Sequence, residues 1–245
     1  MSGRRLYRRA LTNSRLTSFT VQVKESDLWI AVSSQSFRDT FPEQVESIVL
    51  NSRNVIEAFL KEEPHFAAAL EPCLFPPGAP RIMRKMVVAG NKAGVGPMAA
   101  VAGAIAEEVG FYLAKKSTEV IVENGGDIYL KVVEPIRMGI YAGNSPLSGK
   151  IALKMEPNQT PLGICTSSGT VGPSFSFGCA DAAAVLSPSV PLADAAATAL
   201  GNRVKGITDL EDALDFARGI EGITGALLVF KDKVAAWGAI ELERV

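Results

Sequence analysis

Asp194 and Thr198 stand four positions apart in Leu192-Ala193-Asp194-Ala195-Ala196-Ala197-Thr198-Ala199-Leu200, a spacing that sets a carboxylate and a hydroxyl on one face of a helix. Two oxygens placed in this way suit a hard cation. Mg2+ prefers oxygen ligands and keeps several waters, so a carboxylate, a hydroxyl and a carbonyl or phosphate are enough to hold it. The same carboxylate could instead cap a helix or complement its dipole. The surrounding alanines predict a helix packed closely against a neighbour.

Two further segments carry polar chemistry at strand ends. Ile121-Val122-Glu123-Asn124-Gly125-Gly126-Asp127-Ile128 reads as a strand, a double glycine and a second strand. Glycines there let backbone N–H groups come close to a ligand, and the same letters also spell an ordinary hairpin turn. Gly163-Ile164-Cys165-Thr166-Ser167-Ser168-Gly169-Thr170 sets hydroxyls at the end of an apolar strand, where they could serve a phosphate, a ribose or a flavin edge. Gly94-Val95-Gly96-Pro97-Met98 precedes a helix but lacks both the dinucleotide and the P-loop glycine pattern. His65 is the only histidine, so a Ser-His-Asp site would depend on that one residue.

These residues need elements to hold them. Alternating apolar positions predict strands over 18–24 and 28–32, paired as a hairpin through Glu25-Ser26-Asp27. Apolar residues at helical spacing predict a long amphipathic helix from Pro42 to Lys61. Prolines 72, 76, 77 and 80 make 71–81 a loop or an internal boundary within one domain. A strand is expected at 82–89, then an Ala-rich helix over 97–115. Strands follow at 119–122, 128–133, 137–141, 150–155, 163–166 and 182–186, then helices at 192–204 and 209–218 and two closing strands at 225–231 and 234–242. Short connections favour antiparallel pairing, so the expected class is α+β, with antiparallel sheets packed against a few long helices.

Composition narrows the partners. The 245 residues carry 25 basic and 26 acidic side chains, a formal charge of −1, too balanced to advertise nucleic acid or an anionic membrane. Arg4, Arg5, Arg8, Arg9, Arg15 and Lys24 form a local basic arm, readable as a phosphate-meeting segment or as a solvated terminus. No apolar run follows that charge and none elsewhere reaches membrane-spanning length, so the expected home is the cytoplasm. Cys73, Cys165 and Cys179 form no C-x-x-C pair and are expected as free thiols.

In this order, Gly94–Gly103, Asn124–Asp127, Thr166–Gly169 and Ala193–Leu200 resemble the ApbE-like superfamily, whose characterised members are FAD:protein FMN transferases. The resemblance implies a T-fold-like architecture and Mg2+-dependent cleavage of FAD, with FMN attached through phosphate to a threonine of an acceptor protein. It implies that Asp194 and Thr198 bind the metal with the carbonyls of Ala197 and Gly103. Asn124, Gly125, Gly126 and Asp127 would line the flavin or nucleotide cleft together with Thr166, Ser167, Ser168 and Gly169. The chain departs from the transferases at Gly96-Pro97-Met98-Ala99-Ala100, where their flavin-contacting Asp is absent. Pro173–Cys179 stands where they carry His-x-x-Asp-Pro-x-Thr-Gly. That pattern is similar to a shorter cytoplasmic branch of the superfamily. Three functions follow: Mg2+-dependent chemistry at a flavin or nucleotide pyrophosphate, a flavin- or nucleotide-binding module without turnover, or sulfur handling through Cys165 and Cys179.

Overall fold

The structure is a computed structural model that describes residues 15–169 and 178–245. In chain order, β1 (Leu16–Val23) and β2 (Ser26–Ser33) lead into α1 (Phe41–Glu62), the one-turn α2 (His65–Ala68), α3 (Arg81–Ala93) and α4 (Val101–Leu113). Strands β3 (Val120–Asn124), β4 (Asp127–Lys131), β5 (Ile136–Gly139), β6 (Ile151–Met155), β7 (Leu162–Ser167) and β8 (Ala182–Ser187) follow. Then come α5 (Val190–Arg203), α6 (Leu210–Arg218), β9 (Gly225–Phe230), β10 (Lys233–Gly238) and β11 (Leu242–Arg244).

Eight strands form one sheet in the order β1-β2-β3-β4-β7-β8-β9-β10, and three form a second in the order β11-β6-β5. Every pairing among the described residues is antiparallel, and the α+β expectation holds. The central strands are buried on both faces. Leu28, Ile30, Val120, Val122, Val185 and Leu228 point to the helices, while Trp29, Ala31, Ile121, Leu186 and Leu227 point to the small sheet. Period-2 alternation is therefore masked in the sequence, because apolar residues are needed on each side.

One expected strand is a helix. Residues 82–89 lie in α3, where Ile82, Met83, Met86, Val87, Gly90 and Ala93 are buried, the three-and-four spacing of a helical face. The apolar run Met86-Val87-Val88-Ala89 suggested a strand, but its polar neighbours Arg84, Lys85 and Lys92 complete an amphipathic helix. The proline-rich segment before it is a loop tied back to α3, with Cys73 N–H donating to Asn91 Oδ1 at 3.0 Å and Asn91 Nδ2 to the Cys73 carbonyl at 2.9 Å.

The glycines that resemble a phosphate loop have a packing role. Gly94 ends α3 in a left-handed conformation, φ 73°, a conformation that favours glycine. A Cβ on Gly96 would lie 1.8 Å from the Ala69 carbonyl oxygen, so the backbone entering α4 can pass there only without a side chain.

Candidate functional site

The β3–β4 hairpin turns through Gly125 and Gly126, both at positive φ (73° and 111°), as a tight two-residue connection requires. The turn is a hairpin, and it also delivers a side chain. Asp127 opens β4 beside Cys165 of β7 and is buried. Pairing of β4 with β7 also brings the Thr166–Gly169 segment to the turn, with Thr166 N–H donating to the Gly126 carbonyl at 3.2 Å. Three sequence-distant motifs therefore meet at one end of the large sheet.

Helix α5 supplies the third of them. Asp194 is buried and its carboxyl is hydrogen-bonded to that of Asp127. Its Oδ2 accepts the Gly103 N–H at 2.8 Å, and the Ala102 N–H also bonds to it. Both donors lie in the first turn of α4, which has no side-chain cap of its own. Asp194 thus caps a neighbouring helix and sits where that helix's dipole favours negative charge. Gly103 permits the approach, because a Cβ there would fall 2.7 Å from the Val190 carbonyl and 2.9 Å from Asp194 Cβ. What Gly103 gives the site in this geometry is its N–H. Ala197 is buried inside α5, and Thr198, one turn past Asp194, is half-buried.

Burial pushes the Asp127 carboxyl up to about 7, with hydrogen bonds from Cys165 and Asp194 pulling down and the charge of Glu123 adding to the rise. Burial likewise raises Asp194 well above the usual carboxylate range, reinforced by the charge of Asp127 and opposed by the Gly103 N–H. None of the groups acting on either carboxyl is a cation. Two buried carboxyls in contact cannot both ionise cheaply, and a shared proton relieves them. A divalent cation meets the same need. Among the described residues no group of three or more His, Cys, Asp or Glu is set to hold a metal ion. A cation here would rest on two carboxylates and neutral oxygens, a donor set that fits Mg2+.

The other expected residues divide. Asn124 is buried and spends its amide on the Ala102 carbonyl at 3.1 Å, fastening the turn to α4. The Gly126 N–H is already donated to Glu123 Oε1 at 3.0 Å. Thr166, Ser167 and Ser168 are half-buried and Gly169 is exposed. The stretch Pro173–Phe177 lies outside the described residues, as do Arg4, Arg5, Arg8 and Arg9 of the basic arm. Of the rest of that arm, Arg15 pairs with Glu119 and Glu134, and Lys24 with Glu57. His65 lies on the surface next to Glu63. A separate cavity of about 530 Å³, lined by Ile48, Phe111 and Tyr112 among others, shares no residue with the carboxylate pair.

The cysteines differ sharply. Cys165 is fully buried, donates to the Val190 carbonyl at 3.5 Å, and has its thiol pushed well up by burial and by the charges of Asp127 and Asp194. Cys179 is exposed. A high-pKa, enclosed thiol is a poor nucleophile. Iodoacetamide labelling followed by peptide mass spectrometry should modify Cys179 in the folded protein and Cys165 only after denaturation. Equal labelling in the native state would show that Cys165 is open to chemistry.

Sequence reasoning assigned Asp127 to the flavin-lining turn and missed its contact with Asp194. It also missed Glu107, a buried acid in the Ala-rich α4. The available signal was an acidic residue on the buried face of an Ala-rich helix.

A helical layer, an eight-stranded antiparallel sheet and a small covering sheet make up a fold shared with solved flavin transferases. The crystal structure of apo flavinyl transferase ApbE from Pseudomonas stutzeri matches 93% of this chain and 95% of its own, with a TM-score of 0.57 at 14% identity. Flavin transferase ApbE from Vibrio cholerae matches 91% and 97%, with a TM-score of 0.57 at 16% identity. At the level of sequence, a family model described as "AbpE bacteria" matches residues 8–235, and the chain belongs to that ApbE-like family. A UPF0280 protein of Methanocella arvoryzae is 50% identical over 189 residues, 77% of each chain. Another from Methanosarcina barkeri is 42% identical over 221 residues, 89% of this chain and 85% of the relative. No helix among the described residues is long and apolar enough to cross a membrane.

Proposed function

We propose that this chain binds a flavin or another nucleotide through its phosphates, with Mg2+ at the carboxylate pair, and acts at the pyrophosphate. The observation that carries the reading is the buried, cation-free contact of Asp127 with Asp194. Such a contact costs stability unless a proton or a metal offsets it.

Asp194, Asp127 and Thr198 would hold the metal, with the carbonyl of Ala197 as a further oxygen, while Gly103 serves the site through its N–H. Bound Mg2+ would supply Lewis-acid charge at a phosphate oxygen. The hydroxyls of Thr166, Ser167 and Ser168 would orient the nucleotide beside the Asn124–Asp127 turn, and the buried core under the pair would keep water from one side of it. An acceptor protein is part of this reading by likeness to the named flavin transferases. Incubation with FAD and Mg2+ is expected to release AMP, read by chromatography, with release lost in Asp194→Ala.

A second reading is supported by Gly96-Pro97-Met98-Ala99-Ala100, which offers no carboxylate at the entry to α4: a module that holds the nucleotide unchanged. Calorimetric FAD binding without AMP release would select it. Neither binding nor release, at any Mg2+ concentration, would defeat both.

A further inference from the structure

Helices α4 and α5 cap each other. Asp194 of α5 accepts N–H groups from the first turn of α4, and Glu107 of α4 returns the arrangement, its Oε1 accepting the Val190 N–H at 3.2 Å. Val190 is the first residue of α5, and Ser189 before it provides no side-chain cap. Glu107 is itself buried and held from α3 by Lys85, whose Nζ lies 2.6 Å from Oε2 and 2.8 Å from Glu108 Oε1.

Val190 is also closely enclosed. Its carbonyl accepts the Cys165 thiol at 3.5 Å. A Cβ on Gly103 would come within 2.7 Å of that carbonyl, and one on Gly163 within 2.7 Å of the Val190 Cα. Asp194 sits about one helical turn further on, so a shift or rotation of α5 at Val190 is carried to its carboxylate through a stiff helix. The charge of Glu107 also lies at the positive end of α5, where it is favoured.

We propose that Glu107, steadied by Lys85, is the positioning residue of this site. Through the Val190 N–H it sets the axial position of α5, and so the meeting of Asp194 with Gly103 and Asp127. The inference rests on reading the carboxylate pair as a cation site. Glu107 touches neither the pair nor any ligand in this role.

The test combines Mn2+ titration by calorimetry with amide hydrogen exchange in metal-free protein, on wild type, Glu107→Gln, Glu107→Ala and Lys85→Met. Residues that orient metal ligands typically contribute 10- to 100-fold to affinity. Glu107→Ala is expected to weaken Mn2+ binding by about that factor and to speed exchange at Val190 and Gly103, with β9 still protected. Glu107→Gln keeps the acceptor and should recover most of the affinity, a rescue that a generally destabilising change would not give. Lys85→Met should weaken binding by a smaller factor. A folded Glu107→Ala that binds Mn2+ as wild type does, with Gly103 still protected, overturns the proposal. If that variant does not fold, Lys85→Met with wild-type affinity and exchange overturns it instead. Should wild type bind no Mn2+, the cation reading fails, while Gly103 exchange still decides whether Glu107 positions α5.

Discussion

Asparagine in place of Asp194 is expected to abolish divalent-cation binding and, in metal-free protein, to raise stability. The two effects have one origin. Asn is nearly isosteric, its Oδ1 can keep the bonds from Gly103 and Ala102, and its amide can donate to the Asp127 carboxylate. The cap of α4 survives, and one of two buried carboxyls that must share a proton is replaced by a group that is neutral at every pH. Removing residues behind a ligand costs 10- to 100-fold in metal affinity, so removing the carboxylate itself should cost more than about 100-fold. Replacing a carboxyl that must take up a proton to stay buried by a hydrogen-bonded amide should add about 1–3 kcal/mol near pH 8. Mn2+ calorimetry and urea unfolding in chelator read the two arms. Wild-type affinity together with lowered stability would defeat the reading of the pair as a repulsive site relieved by a cation.

Metal-free protein should also lose stability as pH rises from about 4 to about 7, the reverse of ordinary acid denaturation. The folded chain keeps a proton on Asp127 up to about 7, whereas the unfolded chain releases it near 3.8. Between those values the native state holds more protons than the unfolded one, so the unfolding free energy falls by about 1.4 kcal/mol per pH unit per proton. Below the window both states are protonated and the contribution is fully present. Above it, the contribution is lost. Carboxylates such as Asp209, whose bonds to the Lys205 and Gly206 amides lower it, act in the opposite direction at lower pH. Saturating Mg2+ should flatten the decline, and Asp127→Asn, which removes the buried carboxyl that titrates, should remove this contribution. A urea midpoint that rises steadily through this window in chelator would sink the prediction.

The sequence shows the parts of this site more clearly than their arrangement. The helix bearing Asp194 and Thr198, the Gly-Gly turn and the hydroxyl-bearing strand end are all where spacing and turn chemistry put them. Each depends on local rules: a four-residue helical interval, positive φ at a two-residue turn, and an apolar strand ending in polar residues. What was not legible depends on register and on packing between helices. Asp127 faces Asp194 only because β4 pairs with β7 so that Asp127 lies opposite Cys165, and no short-range pattern encodes that neighbour. Glu107 reads as one of two acids on a helix until α5 is laid against it. The error at α3 has a different cause. Two adjacent valines outweighed a helical pattern whose partners lie three and four positions away. The division of strands between two sheets was likewise hidden, since the large sheet is apolar on both faces.

The Gly103–Asp194 bond joins residues 91 positions apart, and six strands, β3 to β8, run between them. The meeting of the two buried carboxyls is therefore a long-range contact that no local segment makes by itself. Contacts of such sequence separation carry a large loop-closure cost. The electrostatic conflict is thus a property of the assembled sheet and helices, set by the closing of α4 against α5.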